Sequence, residues 1–378
     1  MRDIRNTRRW LHCSPALLAL ALAPAAELHA DPGAGALPSG GAITHGEGSI
    51  SQSAAQMDIH QQSARMIAEW SSFDIGADAA VRFHQPGRSS FALNRVTGGN
   101  PSQIMGRLTA NGQVALVNSA GVLFGKNARI DVGGITASTL DINDRDFMDG
   151  ELSFAGQGAR VINQGQIHAR EGGYVALVGA TVNNEGEIRA PGGTAALAAG
   201  EEVRLEVSGF GLLGVRMDGA TADALVDNSG VVAADNGRVI LSAARAGDAL
   251  SAAVNQSGRL QANRMQVNAD GSISLNGGAD GDVMIAGEVE TRGVGDGVAG
   301  GQIDATGARV DVTGTLDASG EAGGGEIYVG GGWQGSDPAI AEADAVFVDG
   351  DASIHADASS EGDGGTVALW SADRTRFD

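Results

Sequence analysis

The sequence predicts an all-β protein built as a single-stranded parallel β-helix, and three observations lead to this prediction. Apolar residues alternate with polar ones in short runs, as in residues 111–134, where Val114 and Leu116 precede Val122 and Phe124. Gly accounts for 59 of 378 residues and separates these runs. Similar segments also recur along the chain. Alternation indicates half-buried strands, and frequent Gly indicates turns between them.

The repeat has a period close to 21 residues. Four similar segments follow one another: VINQGQIHAREGGYVALVGA (161–180), VNNEGEIRAPGGTAALAAG (182–200), VDNSGVVAADNGRVILSAA (226–244) and VNQSGRLQANRMQVNADGSISL (254–275). Asn163 and Asn184 lie 21 residues apart, and the 44 residues from Asn184 to Asn228 are interpreted as two units. A stack of such coils buries one continuous core. This period predicts about 16 coils and a rod about 75 Å long.

The recurring polar residues have two interpretations. Asn163, Asn184, Asn228 and Asn255 either stack as a ladder of side-chain amides inside the coils or serve as ordinary turn residues. Gly and Asn at the corners are expected to supply positive φ angles. Residues 53–70 fit helical and strand periods equally well, so their structure is left open.

The first thirty residues predict a secretory signal peptide. Several Arg residues precede an apolar stretch from Pro15 to Ala26, and small Ala30 suits a cleavage site. The apolar run is much shorter than the roughly 20 residues of a membrane span. The one Cys of the sequence, Cys13, lies inside this segment, so the mature chain is expected to contain no thiol.

Composition narrows the classes of function. The formal charge is −21, which disfavours binding to nucleic acid. Hydrophobic residues make up 42% of the chain, enough to offset the entropy of ordering it, so the Gly-rich composition favours turned β structure over disorder.

The chain from Leu37 to about Gly330 resembles the amino-terminal secretion domain of two-partner secretion exoproteins, the filamentous haemagglutinin and high-molecular-weight adhesin family. The resemblance rests on the order of the motifs WSSFDIG, QP, ALNRV, NPSQIMG, NGQVALVN, GVLFG and VGGITAST. It divides the chain into the signal peptide (1–30), a secretion domain (31–280) and continuing β-helix repeats (281–378), interpreted as the truncated start of a longer fibre.

The resemblance implies a fold, a route and partners. The fold is a right-handed β-helix of the pectin-lyase-like kind, with an amino-terminal cap. The chain would cross the periplasm of a Gram-negative bacterium. Periplasmic modules of an outer-membrane β-barrel transporter would recognise it, and the secreted or surface-exposed product would act as an adhesin on a host glycan or receptor. The positions carried over for partner recognition are Asn100, Pro101, Ser102, Ile104, Gly106, Asn118 and Gly121.

One motif departs from the family. Where the family has Asn-Pro-Asn-Gly, this chain has Asn118, Ser119, Ala120 and Gly121. Pro presets φ and Asn tolerates the left-handed region, so their loss is expected to loosen a tight turn and to put secretion efficiency in doubt.

The alternative function is a β-helix that binds or cleaves polysaccharide, because enzymes of that class share this architecture. Its carboxylates would cluster on one face, and the densest acidic segment, residues 141–150, is expected to form a solvated loop outside the coils. The outward residues His168 and His355, and the scattered His45, His60 and His84, match no metal-binding spacing. We therefore expect no enzymatic activity and assign no catalytic residue, cofactor or metal.

Overall fold

Three long β-sheets form the faces of a β-helix. The computed structural model describes residues 31–246, 252–337 and 340–378. From Phe91 onward each coil adds one strand to each sheet in turn, and strands of successive coils pair in parallel and in register. The predicted parallel β-helix is confirmed. The predicted signal peptide, with Cys13, lies outside the described residues.

We name the three sheets face A, face B and face C, in the order in which the chain visits them within a coil. The strands of face A are Ala42–His45, Arg65–Trp70, Phe91–Val96, Gln113–Val117, Gly134–Ser138, Tyr174–Gly179, Thr194–Ala199, Arg238–Ala243, Ser272–Asn276, Gln302–Thr306, Glu326–Val329 and Thr366–Leu369. Those of face B are Ser102–Ile104, Val122–Phe124, Arg160–Asn163, Thr181–Asn184, Leu225–Asn228, Ala252–Gln256, Asp282–Ile285, Arg309–Val312, Ala345–Val348 and Arg374–Phe377. Those of face C are Gly48–Ser53, Gln56–Gln61, Ala80–His84, Arg107–Ala110, Arg129–Val132, Gln166–Ala169, Glu187–Arg189, Val231–Ala233, Arg259–Gln261, Glu288–Glu290, Thr315–Asp317 and Ser353–His355.

Two antiparallel strands cap the amino-terminal end of the β-helix. Ala42–His45 pairs antiparallel with Arg65–Trp70, and Gly48–Ser53 pairs antiparallel with Gln56–Gln61. The cap that the resemblance implies is therefore present. The segment 53–70, whose period was ambiguous, forms strands. No helix in the described ranges is long and apolar enough to span a membrane.

The predicted number of coils is wrong. Within the described residues, eleven of the twelve face A strands run parallel, and the twelfth is the antiparallel cap strand. Eleven strands about 4.8 Å apart extend for about 50 Å rather than 75 Å. The error arises because coils vary in length: Asn184 and Asn228 are direct neighbours on face B, so the 44 residues between them form one coil and not two.

The core lies inside the coils and consists mainly of Val, Ile, Leu and Ala. Alternation along each strand directs every second side chain inward, as with Val175 and Leu177, which are fully buried. Aromatic side chains of this core, including Trp70, Phe83 and Phe124, belong to the first coils. Beyond Phe124 the described core residues are all aliphatic.

A second apolar cluster covers the outside of face A. A four-stranded antiparallel sheet formed by Asp141–Ile142, Leu152–Ala155, Glu202–Ser208 and Gly211–Gly219 packs there. Tyr174 lies wholly buried beneath it, donates a hydrogen bond to Gln113 Oε1 (3.2 Å), and has its pKa raised to about 12 by burial. Face A is thus apolar on both sides in this region.

A buried amide ladder connects four coils of face B. Asn163 Nδ2 donates to Asn184 Oδ1 (2.8 Å), Asn184 Nδ2 to Asn228 Oδ1 (2.7 Å), and Asn228 Nδ2 to Gln256 Oε1 (2.7 Å). The ladder interpretation is correct for Asn163, Asn184 and Asn228 but wrong for Asn255. Asn255 precedes the inward position by one residue and therefore points outward, where it donates to Asp227 Oδ1.

Corner glycines serve two purposes. Gly172 and Gly192 have positive φ, and Asn236 has φ of 58°, as expected for left-handed turn positions. At the corner between faces B and C, the glycines have no such φ. A Cβ on Gly258 would lie 2.1 Å from Gly230 O, so close stacking of the backbones requires Gly there.

The amide ladder provides a test of the core. Asn184→Ala should lower the free energy of unfolding by about 3 kcal/mol, because it leaves the buried Asn163 Nδ2 and Asn228 Oδ1 without partners. The control is the adjacent outward residue: Asn183→Ala removes one 3.4 Å contact with Asp227 and should change stability by less than about 0.5 kcal/mol. Urea unfolding of both variants measures the difference, and equal effects would contradict an energetic role for the ladder.

Candidate partner-recognition site

The Asn118 side chain organises the turn between faces A and B. It is fully buried, and its Nδ2 donates to Asn100 O and to Ser102 Oγ, each at 3.0 Å. Its Oδ1 accepts a hydrogen bond from Ala120 N at 3.0 Å. One amide therefore connects the turns of two successive coils.

The other residues of this corner complete the contact. Ser102 N donates to Gly121 O (2.9 Å), and Ser102 pairs in register with Val122. Gly121 has φ of 131°, and a Cβ built on it would lie 3.4 Å from Pro101 Cβ. The structure thus brings together five of the seven predicted recognition residues, namely Asn100, Pro101, Ser102, Asn118 and Gly121.

Ile104 and Gly106 lie apart from this corner. Ile104 is fully buried in the core on face B. Gly106 occupies the following corner, where a Cβ would come within 2.2 Å of Gly76 O. These two positions have packing reasons for their residue types.

Little of the corner is exposed in the folded chain. Ser102 is 1% exposed and Asn118 is 0% exposed, whereas Asn100 is exposed and Pro101 is half-buried. The side-chain groups of Ser102 and Asn118 already bond to one another. A partner could form hydrogen bonds with these two side chains only before this part of the chain folds.

The expected loosening of the turn at Asn118–Gly121 is not found. Gly121 N donates to Asn118 O at 3.0 Å, which closes the turn. Ala120 does not adopt a positive φ, so a second Asn is not needed there. The effect of the altered motif on secretion stays a prediction.

The acidic segment 141–150 does lie outside the coils, but it is more than a solvated loop. It contains the helix Asp144–Asp149, capped by the Asn143 side chain, and Phe147 on this helix is buried. Arg95 donates to Asp141 (2.9 Å) and Asp144 (2.5 Å). These two carboxylates hold the helix against face A.

Two of the five histidines considered above are placed differently from the sequence expectation. His168 and His355 are exposed on face C, as predicted. His60 and His84, which are 24 residues apart, lie side by side on neighbouring coils of that face. Among the described residues, no three His, Cys, Asp or Glu side chains form a group that could hold a metal ion.

The turn provides a second test. Ser119 is the second residue of the turn that Gly121 N closes on Asn118 O, a position that favours Pro. Its N–H makes no hydrogen bond in the described structure, so Ser119→Pro should stabilise the fold by about 0.5–1 kcal/mol by restricting the unfolded chain. Ala120→Pro is the control, because it removes the bond from Ala120 N to Asn118 Oδ1 and should destabilise the fold. Urea unfolding midpoints check both, and a destabilised Ser119→Pro would show that the turn has another geometry.

Comparisons with known proteins agree with this architecture. Two curated relatives from Haemophilus influenzae are each called heme/hemopexin-binding protein. One is 37% identical over 212 residues, covering 52% of this chain and 23% of that protein, and the other is 48% identical over 89 residues, covering 24% and 10%. The chain thus spans less than a quarter of the length of either relative.

A solved structure and a family model complete the comparison. The crystal structure of the HMW1 secretion domain from Haemophilus influenzae superposes with a TM-score of 0.77 at 28% identity, covering 90% of this chain and 98% of that one. The model of the TPS secretion domain matches residues 34–291. The chain therefore belongs to the TPS secretion domain family, the amino-terminal domains of two-partner secretion exoproteins.

Proposed function

We propose that this chain directs the export of an exoprotein across the bacterial outer membrane through a partner β-barrel transporter. The observation that carries the proposal is the match to the TPS secretion domain over residues 34–291. The periplasmic modules of the transporter would bind the chain after it leaves the inner membrane. The product is then secreted from a Gram-negative cell.

The burial of the recognition corner supports binding before folding. Asn118 and Ser102 expose their polar groups only while the corner is unformed. An unfolded β-chain also offers unpaired backbone groups, which can add to the edge of a transporter sheet. We propose that the transporter binds the recognition residues in this extended state, namely Asn100, Pro101, Ser102, Ile104, Gly106, Asn118 and Gly121.

Folding outside the cell would favour export without ATP. Each new coil buries apolar side chains against the previous one, at roughly 25 cal/mol per Å². Once a coil has stacked, return through a narrow pore requires that it unfold. We propose that this stacking biases movement outward.

Export with and without the transporter tests the proposal. The chain should appear in the culture medium only when the transporter is co-expressed. Val175→Asp should reduce secretion strongly, because it places a charge in the core at a cost of about 4 kcal/mol or more.

The matched control for this test is His168→Asp, which introduces the same side chain at an exposed position of face C. Its secretion should equal that of the wild type. Undiminished export of Val175→Asp would contradict folding-driven export, while transporter-independent export of the wild type would contradict the proposed function itself.

For the exported protein as a whole we propose two candidate activities. The family resemblance favours adhesion to a host glycan or receptor. The relative that is 37% identical is called heme/hemopexin-binding protein, which favours binding of haem or hemopexin. Haemagglutination and cell-binding assays test the first activity, and titration with haem and with hemopexin tests the second. The activity whose assay stays negative is rejected.

We propose no catalytic role for the described residues. Two carboxylates of the densest acidic segment, Asp141 and Asp144, are engaged by Arg95 in holding the helix Asp144–Asp149. The polysaccharide alternative predicts binding or cleavage of polysaccharide substrates. Product release from a panel of such substrates would overturn our proposal.

A further inference from the structure

Two imidazole rings stack on the outer side of face C, next to the amino-terminal cap. His60 and His84 are register partners on the neighbouring strands Gln56–Gln61 and Ala80–His84. Their ring centroids are 4.5 Å apart and the ring planes differ by 12°. Both residues are exposed, and the His84 side chain retains 49% of its accessible surface. Both strands are paired with neighbours on each side, which fixes the relative positions of the two backbones.

A carboxylate fixes the tautomer of one ring. Asp58 Oδ1 lies 2.8 Å from His84 Nε2, and Gln56 Nε2 donates to Asp58 Oδ2 at 2.7 Å. An ionised carboxylate only accepts hydrogen bonds, so Nε2 of His84 carries the proton and Nδ1 of the neutral ring keeps its lone pair. This arrangement is typical of metal-binding histidines, whose other ring nitrogen donates to a carboxylate.

We propose that His60 and His84 together bind one divalent transition metal ion of the kind that imidazole favours, such as Zn²⁺, Ni²⁺ or Cu²⁺. Metal–nitrogen bonds of about 2.0–2.1 Å allow two coordinating nitrogens to lie up to about 4 Å apart. The stacked rings direct their lone pairs along parallel planes, so the exposed His60 ring must rotate out of the stack to direct one of its nitrogens at an ion held by His84 Nδ1. Water or an external ligand fills the remaining coordination positions.

The neighbouring charges are compatible with such an ion. Asp58 supplies a negative charge beside the pair, and its partner on the next strand is Arg82. Ser49 on the cap strand is the register partner of His60 and adds no charge. Asp58 acts as a positioning residue for His84, because its Oδ1 accepts from the ring nitrogen that does not face the ion. The ion would join the first two coils beside the cap.

Metal titration of the tag-free mature chain tests the proposal. Isothermal titration with Zn²⁺, Ni²⁺ and Cu²⁺ should show one saturable site for at least one ion, and the same ion should raise the melting temperature. His60→Ala or His84→Ala should abolish this binding. Asp58→Ala should weaken it about tenfold or more, because the ring of His84 loses its orienting acceptor.

The control is His168→Ala. His168 is exposed on the same face, but its register partners are Asp131 and Arg189, so its loss should leave binding unchanged. Far-UV circular dichroism confirms that each variant folds, and His60→Gln or His84→Gln replaces the corresponding Ala variant if it does not. The proposal is overturned if the wild type shows no saturable site, or if His60→Ala and His84→Ala, or their Gln replacements, bind as the wild type does.

Discussion

The whole structure depends on in-register stacking of parallel strands from one coil to the next. Each strand completes its backbone hydrogen bonds only with the coils above and below it, so a shift by one residue in one coil would turn its inward side chains outward. The buried amide ladder strengthens this constraint, because Asn163, Asn184, Asn228 and Gln256 can bond only when four coils share one register. Aliphatic core residues would tolerate a poorer fit than these amides.

The same constraint gives the corner around Asn118 one role in the folded chain and, in the function proposed above, another role before folding. In the folded chain, Asn118 is part of the stacking system, since its amide joins the turns of consecutive coils. In the unfolded chain, those same groups are free to meet a partner. A residue can therefore serve secretion and stability at different times, and measurements on the folded domain alone report only the second role.

The sequence was sufficient to predict the strands, the turns and the family, because period-two alternation and corner residues are local signals. It was insufficient for the number of coils. A hairpin such as Glu202–Gly219 lies outside the coil, yet its strands alternate in the same way as those of the coils, so the sequence does not distinguish them. It also misassigned Asn255 by one position, because Asn and Gln occupy adjacent places in that strand. The pairing of His60 with His84 depends on the 24-residue length of the coil between them, and no sequence motif indicates that length.

The single coil between Asn184 and Asn228 shows how this architecture could gain new surfaces. Its inserted hairpin emerges at a corner and returns to the register it left, so the residues on either side pair as though the hairpin were absent. Corner segments can thus change length and sequence during evolution while the stacked interior stays constant. Proteins that share this core can therefore differ most in the segments that they expose at the corners.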